Sequence, residues 1–252
     1  MRLADVGAEA ALIAGGGRAI LLQLANPAIG HAVARHSDFV RHPLRRLQHT
    51  LTYVYALVYG TPAQVATVRE MVNRTHERVR SEPGEMPAYD ATDAGLQLWV
   101  AATLYDTAVT LRHRLVGPLP DADLDAIYAD YAVVGTALQV PDGAWPRDRT
   151  AFAEYWEAQL AVLSVDETVR ATGHDLLHPH TGPLWMRAAM PLARVVTAGL
   201  LPPALREAYG LAWSPARERR FALALDTIAA LNRVLPRRAR EWPKNYLLRE
   251  LG

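Results

Sequence analysis

The chain contains no cysteine. That absence removes disulfides, iron–sulfur clusters, thiolate nucleophiles, Cys-ligated zinc or haem, and covalent c-type haem in one step. Only four serines are present, none in a Gly-x-Ser-x-Gly elbow, so serine hydrolysis has no support. An excess of charge of one sign is also missing. The 27 basic and 26 acidic residues leave a net charge of +1, so no global field draws the chain to nucleic acid or to an anionic membrane. Lysine is nearly absent, since Lys244 is the only one and every other basic residue is arginine. Such a bias fits a GC-rich genome, although the planar guanidinium also suits buried carboxylates, which it binds in bidentate fashion.

Long apolar runs are lacking as well. The most apolar stretch, residues 19–34, is broken by Asn26, Pro27 and His31 and is too short to span a bilayer, so no membrane span is predicted. Asp5 and Glu9 precede any long apolar run, unlike the order of a secretion signal, and the chain is read as cytoplasmic. With 252 residues, half of them hydrophobic, one core can be built, and a single domain over residues 1–252 is predicted.

Convincing strand signals are missing, and helix signals replace them. Thr61-Pro62-Ala63-Gln64 combines a capping hydroxyl, proline at the first helical position and a glutamine that completes a capping box. The helix it opens is predicted to run to about Arg80, with Val65, Val68, Met71, Val72, His76 and Val79 on one face. Ser214-Pro215 opens another, with Phe221, Leu225, Ile228 and Leu231 on its stripe, and residues 93–114 and 124–134 read as helices on the same grounds. Residues 51–59 would suit a strand by composition. They continue a pattern that runs from Leu44 to Tyr59 without a turn signal, and that length predicts a helix. Loops are predicted at 15–17, 81–88, 117–120, 141–147 and 174–183. The fold class is therefore all-α, a multi-helix domain without repeats or linkers.

Several catalytic patterns are excluded by what is missing beside them. Gly15, Gly16 and Gly17 lack the Gly-Lys-Ser/Thr of a P-loop and follow no strand, so they are read as a flexible connection. His76-Glu77 is followed by Arg80 where a zincin needs histidine, and no Glu-x-x-His pair offers a di-iron site. His174, His178 and His180 lie beside Asp175 in a Gly- and Pro-rich stretch without regular ligand geometry, which reads as a solvated loop before a zinc site.

The informative region is 46–80. Arg46 and Thr50 are one helical turn apart on one face with His49 beside them, so three polar groups converge, and Tyr53 and Leu57 extend the stripe. His76 stands on an otherwise aliphatic face of the next helix and needs a partner. Spacing alone leaves two readings open: a core histidine bonded to a carbonyl, or an axial ligand of haem iron.

Gly-Gly-Gly-Arg-Ala at 15–19, Gln23, Pro27, His36-Ser37, Arg46 with Thr50, Gly60, His76 with Val79-Arg80, Tyr89-Asp90-Ala91 and Trp99 occur in an order that resembles the family of latex-clearing proteins (rubber oxygenases) and MpaB oxygenases. Thr197-Ala198-Gly199, Leu201-Pro202 and Leu205-Arg206 extend the resemblance toward the C-terminus. It implies a helical fold enclosing noncovalent haem b, with His76 as the proximal iron ligand. Arg46, His49 and Thr50 would then serve catalysis on the distal side, and Arg46 and Arg80 would reach haem propionates.

The same resemblance implies a dioxygen-dependent oxygenase acting on an apolar, unsaturated or isoprenoid-like small molecule. In latex-clearing proteins a lysine three residues after the matching arginine can occupy the distal iron site, whereas His49 stands there in this chain. For so short a chain, read here without a secretion signal, polymeric rubber is not the expected substrate. Two further readings stay open: a non-catalytic carrier or redox sensor with both His76 and His49 on iron, and a cofactor-free helical protein with an apolar groove.

Overall fold

Capping side chains and prolines set most of the helix starts. The computed structural model describes residues 1–36 and 42–251. It opens with α1 (Leu3–Val6) and a 3-10 helix (Ala10–Gly15), followed by α2 (Gly16–Leu24), α3 (Pro27–His36), α4 (Pro43–Tyr59), α5 (Pro62–His76), α6 (Ala94–Val116) and α7 (Asp121–Gly135). The second half holds α8 (Arg149–Val162), α9 (Glu167–Leu177), α10 (Leu184–Leu200), α11 (Pro203–Ala208), α12 (Pro215–Val234), α13 (Arg237–Arg240) and α14 (Trp242–Arg249). The molecule is an all-α, multi-helix domain, and among the described residues there is no sheet, only an isolated antiparallel bridge between Arg80 and Asp90. No single helix among them is long and apolar enough to cross a membrane.

The capping box at Thr61 forms in both directions: Gln64 N donates to Thr61 Oγ1 at 3.3 Å and Thr61 N donates to Gln64 Oε1 at 3.0 Å. Asp93 caps α6 by accepting from Leu96 N at 2.9 Å, and Ser214 caps α12. The helix from 44 to 59 is present, so length outweighs β-favouring composition there. Three boundaries differ from expectation. α5 stops at His76 and not near Arg80, because the chain turns at residues 77–78 and pairs backward, Ala91 N donating to Val79 O at 2.9 Å and Ser81 N to Tyr89 O at 2.8 Å. α9 continues to Leu177, so part of the loop expected from 174 is helical.

The third difference concerns the glycines at 15–17. They are no flexible connection. Gly15 ends the 3-10 helix and Gly16 and Gly17 begin α2; at Gly15 and Gly17 the chain is packed too closely for a side chain, whereas a Cβ at Gly16 would make only an ordinary 3.7 Å contact with Leu47. A Cβ at Gly17 would lie 2.0 Å from Thr197 Oγ1, and one at Gly15 would lie 2.6 Å from Thr107 Cγ2. Small residues here let α2 lie against α6 and α10 at once.

That arrangement makes α2 the central helix, with Leu21, Leu22 and Leu24 fully buried. Trp99 on α6, also fully buried, donates its indole N–H to Leu22 O at 3.2 Å. Arg18 is buried yet paired: it donates to Leu200 O at 2.8 Å, to Thr107 Oγ1 at 2.7 Å and to the Asp106 carboxylate at 2.5 Å. Tyr105, Tyr128, Tyr131, Trp145 and Phe152 form an aromatic cluster that fixes α7 and α8 against α6. The paired helices α4 and α5 pack beside this body, and α14 covers α4. Between α3, α4, α5 and α6 the packing leaves a cavity.

Candidate functional site: a cavity holding His76 and Arg46

The cavity has a volume of about 410 Å³, inside the range of roughly 300–1,000 Å³ of small-molecule and cofactor sites. Its wall is mostly aliphatic, with Ile29 and Val33 from α3, Val72 from α5, and Leu96, Val100 and Leu104 from α6. α4 contributes Arg46, His49, Thr50 and Tyr53, whose three- and four-residue spacing turns all four to the same side. α5 contributes His76 from its last turn. No aspartate or glutamate lines the cavity among the described residues.

His76 is mostly buried, and its Nδ1 has no hydrogen-bond partner. Burial, and secondarily the positive charge of Arg46, hold its pKa below the ordinary histidine value, so the ring is neutral at neutral pH. An unpartnered buried nitrogen costs about 1–3 kcal/mol unless a ligand or water meets it. Neutral imidazole is also the form that binds metal.

Arg46 presents the complementary anomaly. Loss of water around its guanidinium lowers its pKa to about 10, and its side chain makes no ion pair among the described residues. A largely buried cation in a wall that holds no acid among the described residues favours an anionic ligand, and the guanidinium fork suits a carboxylate. Thr50 donates its hydroxyl to Arg46 O at 3.0 Å, which leaves the hydroxyl oxygen free to accept. His49 lines the cavity but is exposed at its rim; burial and then Arg45 hold its pKa below the ordinary value, so it too is neutral.

Four of the five predicted site residues, Arg46, His49, Thr50 and His76, therefore line one space. Arg80 does not. It lies past the end of α5, with its side chain 59% exposed and 3.7 Å from the Asp90 carboxylate. Tyr89 lines the cavity, whereas Trp99 belongs to the core and Leu57 packs against that core. Ser37, part of the quoted motif, lies outside the described residues.

Sequence reasoning passed over two polar features of the wall. His36 Nε2 is 2.9 Å from the Tyr89 hydroxyl, closing α3 onto the segment after α5. Gln97 bonds in both directions with Gln139, its Nε2 2.5 Å from Gln139 Oε1 and its Oε1 accepting from Gln139 N at 2.9 Å. Gln139 in turn donates to Asn73 Oδ1 at 3.0 Å, one turn before His76 on α5. The only sequence signal for this network was a glutamine on an apolar helix face. Among the described residues no three His, Asp or Glu side chains converge to hold a metal ion. The exposed ring pair of His174 and His178, stacked at 4.2 Å, is no exception. A haem makes a smaller demand, one or two axial imidazoles and contacts for its carboxylates.

The fold and the site thus define an all-α body around a cavity lined by a histidine with an unpartnered ring nitrogen and by Arg46, which makes no ion pair among the described residues. Residues 4–230 match the family model described as ER-bound oxygenase mpaB/B'/Rubber oxygenase, catalytic domain, and the chain belongs to that family. Two relatives are uncharacterized proteins of Mycobacterium bovis and Mycobacterium tuberculosis, each 39% identical over 225 residues, covering 87% of this chain and 88% of theirs. No solved structure matches the chain.

Proposed function

We propose that the protein is a haem-b-dependent oxygenase of the cytoplasm that uses dioxygen on an apolar, unsaturated small molecule of isoprenoid-like character. The observation that carries this reading is the buried, unpartnered Nδ1 of His76 in a cavity that also holds an anion-seeking Arg46 and, among the described residues, no acid. These residues fit a noncovalent haem: His76 would hold the iron, and Arg46 would meet a propionate. Bound there, haem supplies the capacity to activate dioxygen.

The chain's own residues have separable tasks. The aliphatic wall excludes water and accepts an apolar molecule, which strengthens the few polar contacts made inside. Thr50, with its hydroxyl proton committed to Arg46 O, offers an acceptor on the α4 side. His49 at the rim is neutral and can donate or accept one proton at neutral pH. The Gln97–Gln139–Asn73 network holds α5 against α6 and with it the turn that carries His76.

The test is dioxygen consumption by purified, haem-loaded protein presented with unsaturated isoprenoid alcohols and with their saturated counterparts. Consumption coupled to a carbonyl-containing cleavage product, seen only with the unsaturated compounds, supports the reading. Haem-loaded protein that consumes no dioxygen with any of them contradicts the oxygenase assignment.

A further inference from the structure

The mouth of the cavity differs in composition from its interior. A side chain that both lines the cavity and is exposed marks where the cavity opens, and those side chains are His36, His42, Arg45, His49 and Thr75. They come from the end of α3, the beginning of α4 and the last turn of α5. All but Thr75 carry nitrogen bases, and among the described residues no aspartate or glutamate joins them. In a chain with 27 basic and 26 acidic residues, an even spread of charge would not give such an opening. Two acids on the bordering segments are already engaged: Glu85 pairs with Arg35 on α3, and Glu70 pairs with Arg74 on α5.

Away from solvent the wall is apolar. Ala101, Val134 and Val140 are buried there, and Val100, Leu104 and Leu138 are half-buried. Arg46 is the other guanidinium of the wall, and the haem reading commits it to a propionate. That leaves Arg45, which is exposed and makes no side-chain hydrogen bond or ion pair among the described residues. An arginine on a protein surface needs no partner, because water solvates it. Its place at the opening of an apolar cavity gives Arg45 a use that surface arginines elsewhere lack.

We propose that the substrate is amphipathic, an unsaturated chain ending in a carboxylate, with its head held at the mouth by Arg45 and its tail in the apolar interior. The inference rests on the oxygenase reading above and names the class of molecule for that site. The guanidinium fork binds a carboxylate through two parallel N–H donors, and the imidazoles around it can add N–H donors. Charge decides between heads. Arg45 is the one guanidinium among the exposed lining side chains described, so it matches a single negative charge. A diphosphate would leave negative charge uncompensated, and a neutral alcohol or ester would leave the guanidinium unused. The tail gains by leaving water for the aliphatic wall whatever its head. Among molecules with the same tail, the head therefore sets the choice.

The test is calorimetric titration of haem-loaded protein at low salt with farnesoic acid, its methyl ester, farnesol and farnesyl diphosphate. The Soret absorbance per protein is measured on the same samples. Wild type should bind the acid about fivefold more tightly than the ester or the alcohol, the upper end for an exposed ion pair, and the preference should shrink as salt is raised. Arg45→Gln should lose the preference while its affinity for farnesol and its haem content stay at the wild-type level. Arg45→Lys should keep part of the preference, since the charge remains and the fork does not. Equal affinity of wild type for acid and ester, or tighter binding of the diphosphate than of the acid, overturns the proposal. So does loss of haem in Arg45→Gln, because Arg45 would then serve a propionate. Wild type that takes up no haem defeats the oxygenase reading and this inference with it, whereas haem-loaded wild type indifferent to the head defeats this inference alone.

Discussion

Replacing Gly17 with alanine sets two effects against each other. Alanine is favoured over glycine inside a helix by about 1 kcal/mol, so on propensity alone the variant gains stability. The new methyl, however, would stand 2.0 Å from Thr197 Oγ1 and 3.1 Å from its Cβ. Thr197 is 1% exposed and cannot swing away, so α2 and α10 must separate or the threonine must leave its rotamer. Overpacking of this kind costs about 1–3 kcal/mol, and a contact this short belongs at or above the upper end. The net expectation is a loss of about 1–2 kcal/mol, read as a melting temperature lower by about 2–8 °C for a chain of this size. Thr197→Ala removes the colliding oxygen, so the double variant should recover at least about 1 kcal/mol relative to the sum of the two single changes. A Gly17→Ala protein as stable as wild type, with no coupling to Thr197, would refute the close approach of these helices.

Asp93→Ala removes the cap of α6 and should cost about 1 kcal/mol in thermal or urea unfolding, with Asp93→Asn close to wild type. Asp166 is held below its ordinary pKa, first by the His31 side chain at 2.7 Å and then by Val169 N. A depressed carboxyl stabilises the fold above its unfolded value of about 3.9 and loses that contribution as pH falls through the lower folded value. Urea midpoints measured from pH 6 down to pH 2.5 should therefore fall less steeply for Asp166→Asn than for wild type. For the haem-loaded protein, ferric wild type should be six-coordinate and low-spin near neutral pH and turn high-spin on acidification below about 6.5, because the His49 pKa is depressed. His49→Ala should be high-spin throughout, and identical titrations of the two proteins contradict His49 as an iron ligand.

Local chemistry made much of this fold legible. Thr61, Asp93 and Ser214 announce helix starts because their side chains satisfy donors that no other local group can reach. The α4 face that carries Arg46, His49 and Thr50 follows from helical spacing alone. What escaped depends on distant partners. Three consecutive glycines look flexible until α6 is known to press on Gly15 and α10 on Gly17. The end of α5 depends on pairing between residue 80 and residue 90, which no helical pattern encodes. Likewise Gln97 reads as an ordinary helix residue until Gln139 and Asn73 arrive from other parts of the chain. The solvation of Arg46 is the furthest from reach, since an arginine reads as exposed unless the walls around it are known.

The central claim is that His76 holds a noncovalent haem, and its most direct measurement is the haem content of purified wild type and His76→Ala, read as the Soret absorbance per protein after supplementation. Wild type should carry haem b that acid–acetone strips. His76→Ala should lose most of it while its helical circular dichroism stays unchanged, because the ligand bond is removed and the packing of α5 through Val68 is not. Haem retained by His76→Ala at the wild-type level, or wild type that takes up none, contradicts the account.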